Sequence, residues 1–268
     1  MADNILTVEN LNIAYQGVPA VMDVNFTLER GKVLTIVGES GSGKTTVIRA
    51  LMGLLPVGGE VTDGTMLFNG QDLRTLSKSE WRAIRGKDMA MIFQDSGSAL
   101  DPIVRIGKQF RELFKSHIEI TNDECDRRAI ELLESVSLPN GADILRRYPH
   151  ELSGGQRQSI TLLMATMLRP ELLLLDEHTA ALDPKTAENV LQLTDKLVAE
   201  HNLTTLMITH NMRDALRFGN RLIMMDSGRI IYDVKGEEKK KLTVADLLQK
   251  FEVAGENALS DRMVLGAK

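Results

Sequence analysis

An eight-residue run near the start of the chain combines glycines with a lysine and a threonine. The run, GESGSGKT at residues 38–45, follows the apolar segment KVLTIVG and precedes a segment with helical spacing of apolar residues. Glycines let the backbone turn tightly so that successive N–H groups point at phosphate oxygens, and the following helix adds its positive dipole end. Lys44 can reach the β- and γ-phosphates as a point charge, and the hydroxyl of Thr45 can bind Mg²⁺. The strand–loop–helix context favours a phosphate-binding loop over an ordinary glycine-rich turn.

Two adjacent carboxylates end a second apolar run, LLLLDE, much further along the chain. Asp176 could hold Mg²⁺ directly or through water, and Glu177 could polarise the water that attacks the γ-phosphate. Alone, a pair of acids at a strand end more often caps the next helix. Together with the phosphate-binding loop, the pair predicts the second half of a nucleotide site.

A third motif, LSGGQRQ at residues 152–158, also has the chemistry of an anion site. Ser153 can N-cap a predicted helix, and Gly154 and Gly155 leave the N-terminus of that helix bare of side chains. The alternative is a plain serine-capped helix. One chain has a single γ-phosphate and already binds it with the loop at 38–45. A second anion site is therefore useful only if it faces the nucleotide of another subunit.

The elements that position these motifs predict an α/β fold. Alternating segments up to residue 31 predict short antiparallel strands, and KVLTIVG predicts a strand buried on both faces. Residues 103–168 are helical in pattern, with breaks at Pro139 and Pro149, which predicts a helical insertion. Strands at 171–177, 204–210 and 220–233 and a helix at 184–200 resume the core. The run KGEEKKK is expected to be a solvated charge run, and the segment LTVADLLQKF a short amphipathic helix.

Composition limits the classes of function. The 268 residues are 43% hydrophobic and carry a net charge of −5, so a bare nucleic-acid binder, which normally has a basic face, is not expected. The single cysteine, Cys125, excludes an internal disulfide and a multi-thiolate metal site. No apolar run approaches the roughly 18 residues of a membrane span, and no signal pattern is present at the N-terminus. We therefore expect a soluble chain whose membrane role, if any, comes through a partner.

The ordered motifs resemble those of the nucleotide-binding subunit of an ATP-binding cassette (ABC) transporter over about residues 4 to 233. The order is completed by Tyr15, by Gln94 in MIFQD, by Asp183 in AALD and by His210 in MITH. The resemblance implies a P-loop NTPase (RecA-like) core with an antiparallel β-subdomain, about 1–95 and 166–233, and an inserted α-helical subdomain, about 96–165. Residues 234–268 would then form a charged and helical C-terminal extension.

The resemblance also implies the site residues. Lys44, Glu177 and His210 would be catalytic; Thr45, Gln94 and Asp176 would hold Mg²⁺; and Asp183, in the D-loop, would sit at the seam of a dimer. Tyr15 would stack on adenine, although an aromatic there could instead pack on the β-subdomain. The residues binding ATP would be Tyr15, Gly38, Glu39, Ser40, Gly41, Ser42, Gly43, Lys44, Thr45, Thr46 and Gln94. The residues contacting the partner's ATP would be Ser153, Gly154, Gly155 and Gln156.

A transport ATPase at the cytoplasmic face of the membrane is the function that the resemblance implies. Two such subunits, the same or related, would close head to tail on two ATP and drive membrane-spanning permease subunits, served by a substrate-binding protein. Residues 95–110 would receive the permease. The first half resembles importers of peptides and nickel or metal chelates. The second half resembles another importer-type group, often encoded with uptake systems for amino-acid-like solutes or with uncharacterised uptake systems. Alternatives are a soluble ABC protein acting on ribosomes or DNA and a nucleotide-binding module without turnover; intact Glu177 and His210 argue against the latter.

His178 follows the two acids directly, where most ABC ATPases have proline. Mg²⁺ prefers hard oxygen ligands, whereas imidazole suits zinc better, and His210 already fills the histidine role that the resemblance implies. We therefore interpret His178 as a turn residue and a subgroup marker, outside the chemistry.

Overall fold

The structure, a computed structural model, describes residues 3–94, 99–136, 138 and 140–265, with side chains up to residue 254. The chain divides into two compact units, the first formed by Met1–Thr75 and Leu206–Lys268 and the second by Leu76–Thr205. The three-part division expected from the sequence stays a prediction. Within the described ranges, no helix combines the length and the hydropathy that a membrane span requires.

Strands dominate the start of the chain and alternate with helices afterwards, as an α/β fold requires. The strands, in chain order, are β1 (Asn4–Tyr15), β2 (Val18–Glu29), β3 (Val33–Gly38), β4 (Gly59–Phe68), β5 (Gln71–Asp72), β6 (Met89–Ile92), β7 (Leu172–Asp176), β8 (Thr204–Thr209), β9 (Arg221–Asp226) and β10 (Arg229–Lys235). The helices are α1 (Lys44–Leu51), α2 (Lys78–Ile84), α3 (Ile106–His117), α4 (Asn122–Ser135), α5 (Gly141–Arg146), α6 (Gly154–Thr166), α7 (Pro184–Glu200), α8 (Met212–Arg217), α9 (Gly236–Lys240) and α10 (Val244–Leu265).

The first unit contains an antiparallel sheet and a mixed set of strands. In the antiparallel sheet β1 lies between β2 and β4, and β5 extends the edge beyond β4. In the mixed set β9 pairs in parallel with β3 and antiparallel with β10, and β8 lies on the other side of β3. Leu34 to Gly38 of β3 are all buried, which explains why this strand is a continuous apolar run.

The C-terminal segment packs into the first unit, and it contradicts one expectation from the sequence. Leu247 of α10 is buried in a cluster with Val37, Met224 and other apolar residues. The run KGEEKKK was expected to be solvated, but Lys239 is only 3% exposed. Its Nζ donates to the carbonyl oxygens of Phe218 and Gly219 at the end of α8. The expectation was wrong for Lys239, because those two carbonyls provide a buried site for one ammonium group, whereas the other residues of the run are exposed as expected.

The second unit holds the predicted helical segment and the strand that delivers the two acids. β6 pairs in parallel with β7, and the four leucines of β7 are fully buried. Helices α3 to α6 confirm the helical pattern that the sequence predicts for residues 103–168. Pro149 begins a short 3-10 helix, as expected of a break. The other predicted break, Pro139, and residues 95–98 of the predicted permease-docking run lie outside the described residues.

Candidate functional site

The run at 38–45 forms a tight loop between β3 and α1, and its three glycines are sterically required. Gly41 and Gly43 have φ of 85° and 95°, in the left-handed region that favours glycine. A Cβ at Gly38 would lie 2.3 Å from the carbonyl oxygen of Met225 on β9. α1 begins with no side-chain cap and no acidic residue in its first turn, so no carboxylate of the helix itself opposes an anion at its N-terminus.

Lys44 is buried, and its ammonium group lies over the loop. Nζ donates to the carbonyl oxygens of Gly38 at 2.9 Å and Glu39 at 2.7 Å, and to Oγ of Ser42 at 3.3 Å. The loop is tied to the β9–β10 turn by a 3.2 Å hydrogen bond from the Gly228 amide to the Ser42 carbonyl. These contacts fix a positive charge beside the backbone amides of a glycine-rich loop.

The other residues predicted to bind ATP lie on this loop, in the first turn of α1 or at the end of β1. Glu39 and Ser40 are exposed on the loop, and Thr45 and Thr46 occupy the first turn of α1, half-buried. Tyr15 ends β1 opposite Gly59, where a Cβ would come within 2.6 Å of the Tyr15 ring. The ring thus packs on the backbone of β4, and its predicted stacking on adenine stays a prediction.

His210 follows β8 directly and precedes a capped helix. His210 is exposed. The next residue, Asn211, caps the N-terminus of α8: its Oδ1 accepts hydrogen bonds from the amides of Arg213 and Asp214. The Asn211 amide in turn donates to Oγ1 of Thr209 at 3.0 Å. The strand end and the cap therefore fix the backbone on both sides of His210.

The two acids lie at the C-terminal end of β7, in the second unit: Asp176 is its last residue and Glu177 follows it. Asp176 is buried at the last position of the strand, and Glu177 is half-buried with a φ of 45°. A positive φ is strained for a residue other than glycine, and such strain clusters at functional sites. A turn follows, in which the Ala180 amide donates to the Glu177 carbonyl at 2.9 Å.

His178 lies on this turn, as expected, but its side chain is buried. Its Nε2 is 3.0 Å from Oγ1 of Thr194 on α7. Burial lowers the pKa of His178 to about 4, so the ring is neutral at physiological pH. The sequence interpretation did not foresee this contact. Val190, Thr194 and Leu197 share the buried stripe of α7, and a threonine on an apolar stripe is the signal that could have indicated a buried partner.

The signature run begins α6 with the cap expected of Ser153. Its Oγ accepts the Gln156 amide at 3.2 Å, and the Gln156 side chain accepts the Ser153 amide at 3.0 Å, which is a capping box. Gly154 and Gly155 occupy the first turn of the helix without side chains. The helix N-terminus therefore has the form of an anion site.

Asp183 caps α7, and the first turn of α7 packs against the signature helix. The Asp183 carboxylate accepts the Thr186 amide at 3.1 Å. Hydrogen bonding by Thr186, first through its side chain and then through its amide, lowers the pKa of Asp183. A Cβ at Gly155 would lie 2.5 Å from Cγ2 of Thr186, so α6 and α7 meet at this glycine. Sequence reasoning assigned Gly155 to an anion site and missed this packing role.

The predicted residues are divided between the two units. Tyr15, the loop at 38–46 and His210 belong to the first, whereas Gln94, the signature, the acids and Asp183 belong to the second. Gln94 is exposed and is the last described residue before the gap at 95–98. Within the second unit, α7 contacts both the turn after Glu177 and the signature helix. The roles of all these residues stay proposals.

The buried strand, glycine loop and lysine define a P-loop nucleotide-binding protein of the α/β class. The model of the ABC transporter family matches residues 21–180. The chain is 38% identical to the dipeptide transport ATP-binding protein DppD of Lactococcus lactis over 85% of this chain and 67% of that protein. It is 37% identical to the oligopeptide transport ATP-binding protein OppD of Escherichia coli over 85% of this chain and 68% of that protein. The chain belongs to the ABC transporter family, as an ATPase cassette.

A solved structure with a similar fold is the dimeric ABC transporter cassette MJ0796. It has a TM-score of 0.75 and 29% identity, over 86% of this chain and 98% of that chain. The same cassette in a post-hydrolysis state, with ADP and Pi, matches with a TM-score of 0.74. These comparisons confirm the family and fold class predicted from the motifs, and they do not favour a non-transport target. The chain spans about two thirds of the length of its curated peptide-transport relatives.

Proposed function

We propose that this cassette closes head to tail with a second ABC cassette around two ATP molecules and that ATP hydrolysis then reopens the pair. The observation that carries the proposal is the presence on one chain of two different helix N-termini that have the form of an anion site. One follows the glycine loop and carries Lys44, and the other is the serine-capped signature helix. MJ0796 was solved as a dimer, which supports an assembly that uses both.

Within each site, Lys44 and the loop amides would bind the β- and γ-phosphates. Glu177 would act as the general base for the attacking water, and His210 would hold that water in line with the γ-phosphate. Ser153 and the amides of the signature helix would close over the partner's γ-phosphate. Asp183 would lie at the seam, and Tyr15 would stack on adenine.

Magnesium fits the donor set that would face the phosphates. Thr45 offers a hydroxyl, Gln94 an amide oxygen and Asp176 a carboxylate, and all three are the hard oxygen donors that Mg²⁺ prefers. When bound, Mg²⁺ would neutralise charge on the β- and γ-phosphates. Among the described residues there is no group of three or more His, Cys, Asp or Glu side chains that could hold a metal by themselves.

The transported solute is proposed to be a peptide, taken up by import. DppD and OppD are named for dipeptide and oligopeptide transport, and their similarity covers 85% of this chain, so it is not confined to the first half. Nickel or metal chelates and amino-acid-like solutes are the competing substrate classes from the sequence. Membrane-spanning permease subunits would hold the cassette at the cytoplasmic face, and a substrate-binding protein would deliver the peptide.

The test is ATP hydrolysis by the purified chain compared with Glu177→Gln. We expect slow, Mg²⁺-dependent turnover in the parent chain and hydrolysis near background in the variant. The variant should also accumulate as a dimer when ATP is added, as measured by light scattering after size exclusion.

The matched control is Glu134→Gln, which removes one exposed carboxylate from α4 in the same unit. This variant should hydrolyse ATP and elute as the parent chain does. Equal hydrolysis by Glu177→Gln and the parent chain would remove Glu177 from its proposed role.

A further inference from the structure

A buried hydrogen bond joins the residue after Glu177 to the middle of α7. Nε2 of His178 lies 3.0 Å from Oγ1 of Thr194. The two side chains are 1% and 3% exposed, so water does not compete for this contact. A buried polar pair of this kind is costly to break, because the remaining partner loses its hydrogen bond and has no solvent to replace it.

The direction of this hydrogen bond follows from the second bond of Thr194. Its hydroxyl has one hydrogen, and Oγ1 donates at 2.9 Å to the carbonyl oxygen of Val190, which can only accept. Oγ1 must then accept from His178, so Nε2 carries the proton of the neutral ring. Nδ1 is left as an acceptor, and it is buried with no hydrogen-bond partner among the described residues.

His178 directly follows Glu177, the residue of the acid pair whose backbone conformation is strained. Glu177 has a φ of 45°, a conformation that persists only when the surrounding structure holds it. On its N-terminal side the chain is fixed by β7, whose Leu175 pairs with Ile92 of β6. On its C-terminal side, the fixed points are the Ala180 amide bonded to the Glu177 carbonyl and the His178 ring bonded to α7.

We propose that His178 is a positioning residue for ATP hydrolysis: its hydrogen bond to Thr194 holds the Glu177 turn and thereby the direction of the Glu177 carboxylate. The proposal rests on the general-base role proposed above for Glu177. It replaces the sequence interpretation of His178 as a residue outside the chemistry, although the ring itself does not touch the reacting atoms.

The first test replaces Thr194 by valine, which keeps the shape of the side chain and removes the acceptor. Thr166→Val is the matched control, because Thr166 is also buried in a helix and donates to the carbonyl of Leu162 at 2.9 Å, with no histidine bonded to it. Thr194→Val should lower kcat about tenfold with an unchanged KM for ATP, because the released turn no longer holds the Glu177 carboxylate in its reactive direction. Thr194→Ser and Thr166→Val should both stay within about twofold of the parent chain.

The second test changes the histidine, and it serves if Thr194→Val does not fold. His178→Gln retains an N–H donor of similar reach, whereas His178→Met retains the bulk alone. The glutamine variant should keep most of the parent kcat, and the methionine variant should lose about as much as Thr194→Val. In addition, long-range ¹H–¹⁵N correlation spectra of the parent chain should show His178 with its proton on Nε2.

The outcomes separate this proposal from the one on which it rests. Loss of hydrolysis in Glu177→Gln with parent-like kcat in both Thr194→Val and His178→Met would overturn the positioning role alone. A proton on Nδ1 of His178 would overturn it as well. Equal hydrolysis by Glu177→Gln and the parent chain would overturn both.

Discussion

Gly155→Ala should destabilise the second unit by overpacking, independently of any nucleotide. A Cβ at Gly155 would lie 2.5 Å from Cγ2 of Thr186, well inside van der Waals contact. At the neighbouring Gly154 the nearest atom to a Cβ is Cδ2 of Leu182, at an ordinary 3.5 Å. The two glycines of the signature therefore differ in packing, although both leave the helix N-terminus bare.

The expected magnitude follows from two opposing contributions. Overpacking in a well-packed contact costs about 1–3 kcal/mol, and alanine is favoured over glycine in a helix by about 1 kcal/mol. Gly155→Ala should therefore lower the free energy of unfolding by up to about 2 kcal/mol. Gly154→Ala has only the second contribution and should leave the free energy of unfolding unchanged or raise it slightly.

Urea denaturation of the four members of a double-mutant cycle measures this effect. Thr186→Ser removes Cγ2 and leaves the backbone amide that bonds to Asp183, so it should relieve much of the cost of Gly155→Ala. We expect a coupling energy of about 1 kcal/mol or more between Gly155→Ala and Thr186→Ser. An identical cost of Gly155→Ala in both backgrounds would refute the packing argument and leave Gly155 with its anion-binding role alone.

Two further predictions concern side chains with a shifted pKa. Burial lowers the pKa of Lys239 to about 8, below its usual 10.5, so between these values the unfolded chain binds more protons and the free energy of unfolding rises with pH. Urea denaturation from pH 7.5 to 10.5 should show this rise flattened in Lys239→Met, and parallel slopes in the two chains would contradict the assignment. Hydrogen bonds from the side chain and the amide of Thr186 lower the pKa of Asp183, so the contribution of Asp183 to stability is present above the usual pKa near 3.8 and is lost as pH falls through the lowered value. Thermal denaturation at neutral pH should show a lower Tm for Asp183→Ala and a nearly parental Tm for Asp183→Asn, since asparagine also caps helices; equal Tm values for the two variants would exclude the cap.

The parts of the site that the sequence predicts well are local. The glycine loop is a contiguous run between an apolar strand and a helix, and the hydrogen bonds that Lys44 donates to Gly38, Glu39 and Ser42 come from within the run itself. The cap of Ser153 by the Gln156 amide is equally local, because a capping box needs residues three apart. The family followed from the order of such local motifs along the chain.

The parts that the sequence did not predict all depend on contacts between distant segments. KGEEKKK has the composition of a solvated run, and the burial of Lys239 requires the two carbonyls that end α8. Gly38 could be assigned to a loop from its neighbours, but its need for glycine also comes from Met225 on the paired strand β9. No spacing rule connects such positions, because strand pairing sets the contact and composition does not.

Helix α7 shows why the motifs of the second unit cannot be interpreted one at a time. Asp183 caps it, Thr186 near its start packs on Gly155 of the signature helix, and Thr194 in its middle bonds to the histidine beside Glu177. A helix of this length keeps its residues in fixed relation to one another, since each turn is bonded to the next. The signature, the D-loop aspartate and the acid turn are therefore held by one element. For this reason His178, which sequence motifs place outside the chemistry, is joined by the fold to the residues proposed to carry it out.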